Sequence, residues 1–375
     1  MKREKSIITN DSLEELHSIK KFPVFIGATD EPIESDIFAD LTFDICKDSG
    51  FIQLREPIDP KLVYSKFHSE AIGKTWEKHH SLFSELISVY SSKKRVLEIG
   101  GSDSRLALKT LSSNPLIKKW IVFEPNIKIK FDEPNIEYIE DFFNKDTYKK
   151  VNKCDIIIHS HVLEHSLDPN DFLNSISESL DEGAFHIFSI PNLYEYLKSK
   201  FVNTLNFEHT IFLTEEFVDY ILFKNGFRIV DKKYYENHSI FYVTVKDTKA
   251  DHFISLPRMY EKYKNLYNEF VNCYFEFIKE TNAKLLKTNK KIYLFGAHVF
   301  SQYLIHLGLD TSKIKCILDN SDEKEGKRLY GTDLFIRKPK NVDLEDSIVI
   351  LKVGQYKNEI VDGLLKLNKN IQFYE

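Results

Sequence analysis

The stretch Arg95–Leu111, RVLEIGGSDSRLALKTL, decides how this chain is read. An apolar run of strand length meets the pair Gly100–Gly101, and a helical pattern follows after Asp103. A strand–glycine turn–helix unit of this kind holds the polar end of a small ligand. Phosphate ligands fit poorly. A Walker loop requires G-x-x-x-x-G-K-[ST], yet Gly101 is followed by Ser102, Asp103, Ser104 and Arg105. The dinucleotide fingerprint requires a third glycine where strand and helix touch, and that glycine is absent. A pyrophosphate would also meet Asp103 at the helix N-terminus, where anions are otherwise stabilised. Asp103 reads instead as an N-cap or first-turn residue.

The ligand that remains carries a cation and no phosphate: S-adenosyl-L-methionine. Glu98, just before the turn, can anchor an amino group directly or through water. Gly100, Gly101 and Ser102 offer bare backbone to the amino-acid and ribose portion. Glu124 ends the next strand, IVFEP, where an acid accepts hydrogen bonds from both ribose hydroxyls; a capping acid is the plain alternative. In EDFF, Asp141 and Phe142 supply an acid for the adenine amino group and a ring for its face, although Asp141 also reads as a helix N-cap. A further strand runs into CDIIIHSHVLEH, which places His161, Glu164 and His165 at the methyl end. His161 counts both as a cofactor contact and as a catalytic candidate.

Outward from this turn, strands and helices alternate: KWIVFEP, CDIIIHS and GAFHIFSIP read as strands, DSRLALKTLSS, PNDFLNSISESL and TEEFVDYILFKNGF as helices. That alternation predicts an α/β fold built on a parallel sheet. RIVDKKYYE and SIFYVTVK, separated by two residues, predict an antiparallel pair. A long helix is expected near Ser255–Lys287, and a second strand–glycine–helix unit opens at KIYLFGAHVF. The boundaries are set at 1–74 for a small N-terminal module, 75–250 for the central domain, and 251–375 for the long helix with a smaller α/β domain. Of the 375 residues, 42% are apolar, enough for a sizeable core, and the net charge of −5 is spread over both signs. Neither a nucleic-acid nor a membrane partner is expected. The opening MKREKSIITNDSLEEL lacks the apolar run of a signal peptide, so a cytoplasmic location is expected. Cys46, Cys154, Cys273 and Cys316 form no C-x-x-C pair and predict reduced, structural thiols.

These residues resemble the class I S-adenosylmethionine-dependent methyltransferases. More narrowly, the chain resembles three-part methyltransferases that act on nucleotide-linked deoxysugars. The resemblance rests on GFIQLREPIDPKLVYSKFHSEAIGKTWEKHH, on NFEHTIFLTEEFVDYILFKNGF, and on IYLFGAHVFSQYLIHLGLDTSKIKCILDNSDEKEGKRLYGT. It implies a class I Rossmann-like central sheet, an N-terminal zinc module, and a C-terminal Rossmann-like domain that closes over a sugar nucleotide. It also implies a catalytic Glu-His pair, which here is Glu208 and His209. His209 is the first choice as base because imidazole titrates near neutrality; Glu208 orients it or serves in its place, and His161 and His165 are rivals. His79 and His80, on the helix leading to the first strand, are weaker candidates for reaching the cofactor.

Two departures matter. The family's module uses four cysteines, whereas only Cys46 remains, and one thiolate cannot hold a structural zinc. The module is therefore expected to keep its outline without metal, and no metal site is expected elsewhere. The family's tyrosine two residues before the catalytic glutamate is replaced by Asn206. That loss tips the expectation slightly toward oxygen over carbon as the methyl acceptor. Lys324, Lys327 and Arg328 are candidates for a diphosphate, with a solvated charge run as the plain alternative. The expected partner is a nucleotide-linked sugar, and a homo-oligomer is compatible with the sequence. Two other readings stay open: an NAD-dependent nucleotide-sugar oxidoreductase or epimerase, and a non-catalytic binding relative of the same fold.

Overall fold

A computed structural model describes residues 2–64, 73–249, 254–354 and 357–375. The central domain is a seven-stranded sheet in the spatial order Phe227–Tyr235, Ser239–Lys246, Leu180–Pro191, Cys154–Ser160, Arg95–Ile99, Lys119–Phe123, Ile136–Ile139. Every neighbour pair is parallel except those made by Ser239–Lys246, which is antiparallel on both sides. From Arg95–Ile99 the chain first winds one way, through Lys119–Phe123 to Ile136–Ile139. It then returns and winds the other way from Cys154–Ser160. This reversal makes a crevice at the strand C-termini between Arg95–Ile99 and Cys154–Ser160, where open α/β sheets bind ligands.

Both faces of the sheet are covered, which is why its strands read as nearly continuous apolar runs. Val96, Trp120, Val122, Ile156 and Ile158 pack on one face against Phe83, Leu86 and Ile87 of the helix Lys74–Ser91 and Leu106 of the helix Arg105–Ser113. Leu97, Ile99, Ile121, Phe123 and Ile157 face the other way, toward Phe172, Leu173 and Ile176 of the helix Pro169–Ser179.

The N-terminal module is a four-stranded sheet ordered Leu13–Pro23, Phe38–Cys46, Ile52–Leu54, Ile211–Phe212. Its last strand is borrowed from the central domain, two residues after His209. LTFDICKDSGFIQL forms the hairpin of Phe38–Cys46 with Ile52–Leu54, whereas FPVFIGA does not form one strand. The long strand lies upstream, over Leu13–Pro23, and Ala28–Thr29 pairs instead with Arg328–Leu329 of the C-terminal domain. Cys46 is buried, with Asp11 and Asp48 as its nearest candidate ligand groups among the described residues.

The C-terminal domain is a five-stranded, all-parallel sheet ordered Ile336–Arg337, Ile314–Leu318, Lys291–Phe295, Ser347–Ile350, Gln372–Tyr374. The helix Tyr260–Leu286 joins it to the rest and buries Tyr263, Tyr267, Phe270, Tyr274 and Ile278 at helical spacing. Among the described residues no helix is long and apolar enough to cross a membrane.

The basic run, a candidate for a diphosphate or a solvated charge run, is engaged with carboxylates. Arg328 is buried and makes a fork of two 2.6 Å bonds to Asp36 of the N-terminal module. Lys327 faces Asp30, and Lys324 faces Asp319 at 3.2 Å and the Ala297 carbonyl at 3.1 Å. Arg328 therefore clamps two domains, and its planar guanidinium suits the bidentate carboxylate.

Candidate active site

The glycine turn opens a cavity of about 1260 Å³ at the sheet's switch point. Gly100 has φ +81°, and an added Cβ would lie 2.5 Å from Val162. A Cβ on Gly101 would lie 2.8 Å from Val122 and 2.9 Å from the Glu98 carboxyl carbon. Both glycines are thus required by the walls of the turn itself, not only by the approach of a ligand. Ser104, at φ +59°, completes the turn by donating its N–H to the Gly101 carbonyl at 2.7 Å. Asp103 is neither N-cap nor first-turn residue: it precedes the N-cap Ser104, from where its carboxylate accepts the Arg105 N–H at 3.1 Å.

Glu98 lies beneath the turn, on the cavity wall and only 4% exposed. Burial pushes its carboxyl up to about 7, partly opposed by the Trp120 indole N–H, which donates to it at 2.7 Å. A buried carboxyl with so little compensation is a place for a cation. Glu124, at the end of the neighbouring strand, also lines the cavity, and one of its oxygens accepts the Asn126 N–H at 2.9 Å. Ser102 and Phe142 line the same space. Asp141 does not. Its carboxylate accepts the Phe142 N–H at 2.8 Å and pairs with Lys150.

His161, Val162, His165, Glu208, Trp76 and Tyr64 line the same cavity. His161 holds a left-handed φ of +54°, and its Nε2 meets the Ser239 hydroxyl at 2.8 Å. The short turn Leu163–His165 buries Glu164, whose carboxyl burial pushes up to about 8.

Glu208 reaches the cavity and His209 does not. The His209 Nδ1 meets the Thr204 carbonyl at 2.8 Å, a contact in which Nδ1–H is the donor. Its ring stands edge-on to His165, 4.6 Å between centres, and lines only a small pocket behind with Glu164 and Thr204. Burial holds its imidazole below the ordinary value, against an opposing pull from Glu208. Asn206 is no substitute for a tyrosine. Its side-chain carbonyl accepts the Glu208 N–H at 2.8 Å and the His209 N–H at 3.3 Å, and its amide donates to the Asn203 carbonyl. It shapes the turn that presents Glu208.

A tyrosine enters from elsewhere. Tyr64 packs between Phe142, at 6.1 Å, and His165, at 6.2 Å. Burial, with Glu208 and Glu124 adding to it, holds its hydroxyl well above the usual phenol value, so the proton stays on. The sequence reading missed Tyr64, which lies more than a hundred residues from Glu208 along the chain; only a tyrosine just upstream of the cofactor domain marked it.

The loop bearing Glu208 is pinned from the N-terminal module. Arg3 donates to the Thr210 carbonyl at 2.6 Å and to the Leu167 carbonyl at 2.5 Å. Ile211–Phe212 then pairs with Ile52 and Gln53.

Comparison with known proteins agrees with this geometry. Residues 75–232 match the profile of a methyltransferase domain, and residues 243–371 match that of a C-methyltransferase C-terminal domain. The fold is that of the class I methyltransferases, with a Rossmann-like central sheet, and the two profile matches support an S-adenosylmethionine-dependent methyltransferase activity. S-adenosylmethionine is its cofactor, and the buried Glu98 with the glycine cradle above it fits that ligand's cationic end.

Among solved structures, the N-methyltransferase NodS from Bradyrhizobium japonicum, in complex with S-adenosyl-L-homocysteine, is 12% identical over 47% of this chain and 89% of its own, with a TM-score of 0.37. An S-adenosylmethionine-dependent methyltransferase from Mesorhizobium loti is 10% identical over 42% of this chain and 92% of its own, TM-score 0.34. An O-methyltransferase family protein from Burkholderia thailandensis is 8% identical over 46% and 57%, TM-score 0.38. No curated protein sequence matches the chain.

Proposed function

We propose that the protein methylates a sugar carried on a nucleotide, with Glu208 as the base, in the cytoplasm. The observation that carries this reading is that Glu208 and Tyr64 share one cavity with the glycine turn. When bound, S-adenosylmethionine supplies an electrophilic methyl group on a sulfonium whose leaving group is neutral. Glu98 would hold its amino group, Glu124 its ribose hydroxyls and Phe142 the adenine face.

The remaining work falls on the chain's own residues. The Glu208 carboxylate takes the acceptor's proton. Tyr64, protonated at neutral pH, donates a hydrogen bond to the oxygen on which negative charge gathers. His165 and His209 form the wall behind Glu208, with His209 locked in one tautomer by Thr204. His209 then acts as a positioning residue, and the first choice of base passes to its neighbour.

The acceptor atom is argued anew. The lean toward oxygen rested on losing a tyrosine at Asn206, and Tyr64 supplies a hydroxyl by another route. A proton acceptor beside a hydrogen-bond donor suits a carbon next to a ketone, where an enolate must be stabilised. The likeness of residues 243–371 to a C-methyltransferase domain supports the same choice. The test is turnover with keto- and hydroxy-sugar nucleotides and a ¹³C-labelled methyl donor. A new methyl on a ring carbon is expected in NMR; an O-methyl signal would return the acceptor to oxygen, and no transfer to any sugar nucleotide would overturn the substrate class.

A further inference from the structure

Beside the active-site cavity lies a histidine cluster that methyl transfer does not use. His79 comes from the helix Lys74–Ser91, His161 from the end of the strand Cys154–Ser160, and His238 from the turn before Ser239–Lys246. Their ring centres form a nearly equilateral triangle with sides of 5.3, 5.6 and 5.6 Å. One nitrogen of each lies within 4.8 Å of the others. Trp76 covers the triangle, with its ring 5.1, 4.9 and 4.8 Å from the three. Phe83, Tyr235 and Phe241 pack around His79.

Two buried groups here lack partners. His79 is 0% exposed, and neither of its ring nitrogens has a hydrogen-bond partner. Both carboxyl oxygens of Glu164 also lack a hydrogen bond, although one lies 3.6 Å from His161 Nδ1. Buried polar groups are nearly always satisfied, and an ion or water is the usual reason when they are not. One cation would answer His79 directly and, held by His161 through Nε2, would leave His161 Nδ1–H facing Glu164. Its third contact is prepared, because His161 Nε2 and His238 Nδ1 already converge on the Ser239 hydroxyl, at 2.8 and 2.6 Å.

A zinc–nitrogen bond of about 2.0–2.1 Å sets tetrahedral nitrogens roughly 3.3 Å apart, so the three rings, whose nitrogens already lie within 4.8 Å of one another, must close by small rotations on the ion. Glu164 beside His161 matches the carboxylate–histidine pairing found behind metal ligands.

We propose that His79, His161 and His238 bind one borderline divalent transition-metal ion, zinc foremost, with Ser239 as the neighbouring oxygen and Glu164 supporting His161. Three neutral imidazoles select this class of ion over magnesium or calcium. The ion ties the helix, the strand end and the turn together at the edge of the cofactor cavity. It is a separate matter from the acceptor of the methyl group and stands if the substrate proposal fails.

The experiment uses the full chain, stripped with a chelator and titrated with Co²⁺ and then Zn²⁺. One equivalent of Co²⁺ per chain is expected, with visible absorption bands that Zn²⁺ abolishes and with quenching of tryptophan emission. Trp76→Phe should lose most of that quenching and leave the Trp120 emission. His79→Ala and His238→Ala should each weaken binding by about 10²-fold or more, whereas His209→Ala should bind as wild type. Should a variant fail to fold by circular dichroism, the other decides, together with the rise in the wild-type melting temperature on adding Zn²⁺. Wild-type protein that takes up no metal overturns the proposal. So does binding that survives both His79→Ala and His238→Ala but is lost in His209→Ala, which would assign the ion to Glu164, His165 and His209.

Discussion

At the scale of single residues, the site is a set of carboxyls held against their preference. Glu98 is the clearest case. Its ordinary value near 4.5 is raised to about 7 in the folded chain. The folded state therefore binds the extra proton between those values, and ligand-free stability falls as pH rises through that window. Glu98→Gln has no charge to lose. Its melting temperature should match wild type near pH 5 and exceed it by pH 8, as read by scanning fluorimetry without cofactor. With S-adenosylmethionine present the order should reverse, because the variant cannot pair with the amino group.

Tyr64→Phe should lower kcat by about 10²-fold if its hydroxyl steadies developing charge. Affinity for S-adenosylhomocysteine, measured by calorimetry, should hardly change. Glu208→Gln should cost about 10²-fold or more in kcat, and His209→Gln clearly less. Equal losses in the last two would restore His209 as the base.

Some of this was legible in the sequence because it depends on local order. Glu98, Glu124 and Phe142 stand at or near strand ends and fall on the cavity as the strand pattern implied. Asp141 and His209 show the limit of such reading. EDFF and NFEHT lie in irregular turns, where the order of neighbours does not say which one faces the cavity; in NFEHT the Asn206 side chain decides it by accepting the N–H groups of Glu208 and His209. Tyr64 and the His79–His161–His238 triangle are assembled by the fold from distant segments, and no spacing along the chain announces them.

At the scale of elements, two contacts hold the parts in register. The Asp36–Arg328 fork is buried on both sides. Removing one partner leaves a buried charge alone, so Arg328→Ala should destabilise the fold by about 3–5 kcal/mol, measured by urea unfolding. A direct loss of nucleotide-sugar affinity with stability intact would instead revive Arg328 as a diphosphate contact. The glycine turn is the second. Gly101→Ala must push on Val122 and Glu98, and cofactor affinity should fall at least tenfold by calorimetry while the sheet persists.

The elements themselves were read well where both faces of the sheet are covered and the strands are apolar throughout, as in Arg95–Ile99 and Cys154–Ser160. Leu13–Pro23 escaped because LEELHSIKKFP mixes charged residues into a strand with much of its length only half-buried. Ile136–Ile139 escaped as a four-residue edge with one buried position.

At the scale of the whole molecule, the three sequence segments each build a sheet of their own, yet strands are exchanged between them. Ala28–Thr29 pairs into the C-terminal domain and Ile211–Phe212 into the N-terminal module. A boundary at residue 74 is therefore misleading for the site, which draws on residues from both sides of it. Hydrophobic patterning reports which stretches are strands, but a two-residue strand carries too little pattern to say which sheet it joins.

The borrowing of Ile211–Phe212 has a practical side. A central domain excised at residue 75, or transplanted onto a relative's front end, would leave behind the edge on which its acid-bearing loop is hung, along with the Arg3 tether. Such a chimera should still take up the methyl donor while turning over poorly. Anyone seeking to redirect this catalyst to a new acceptor should move the leading module and the loop as one cassette.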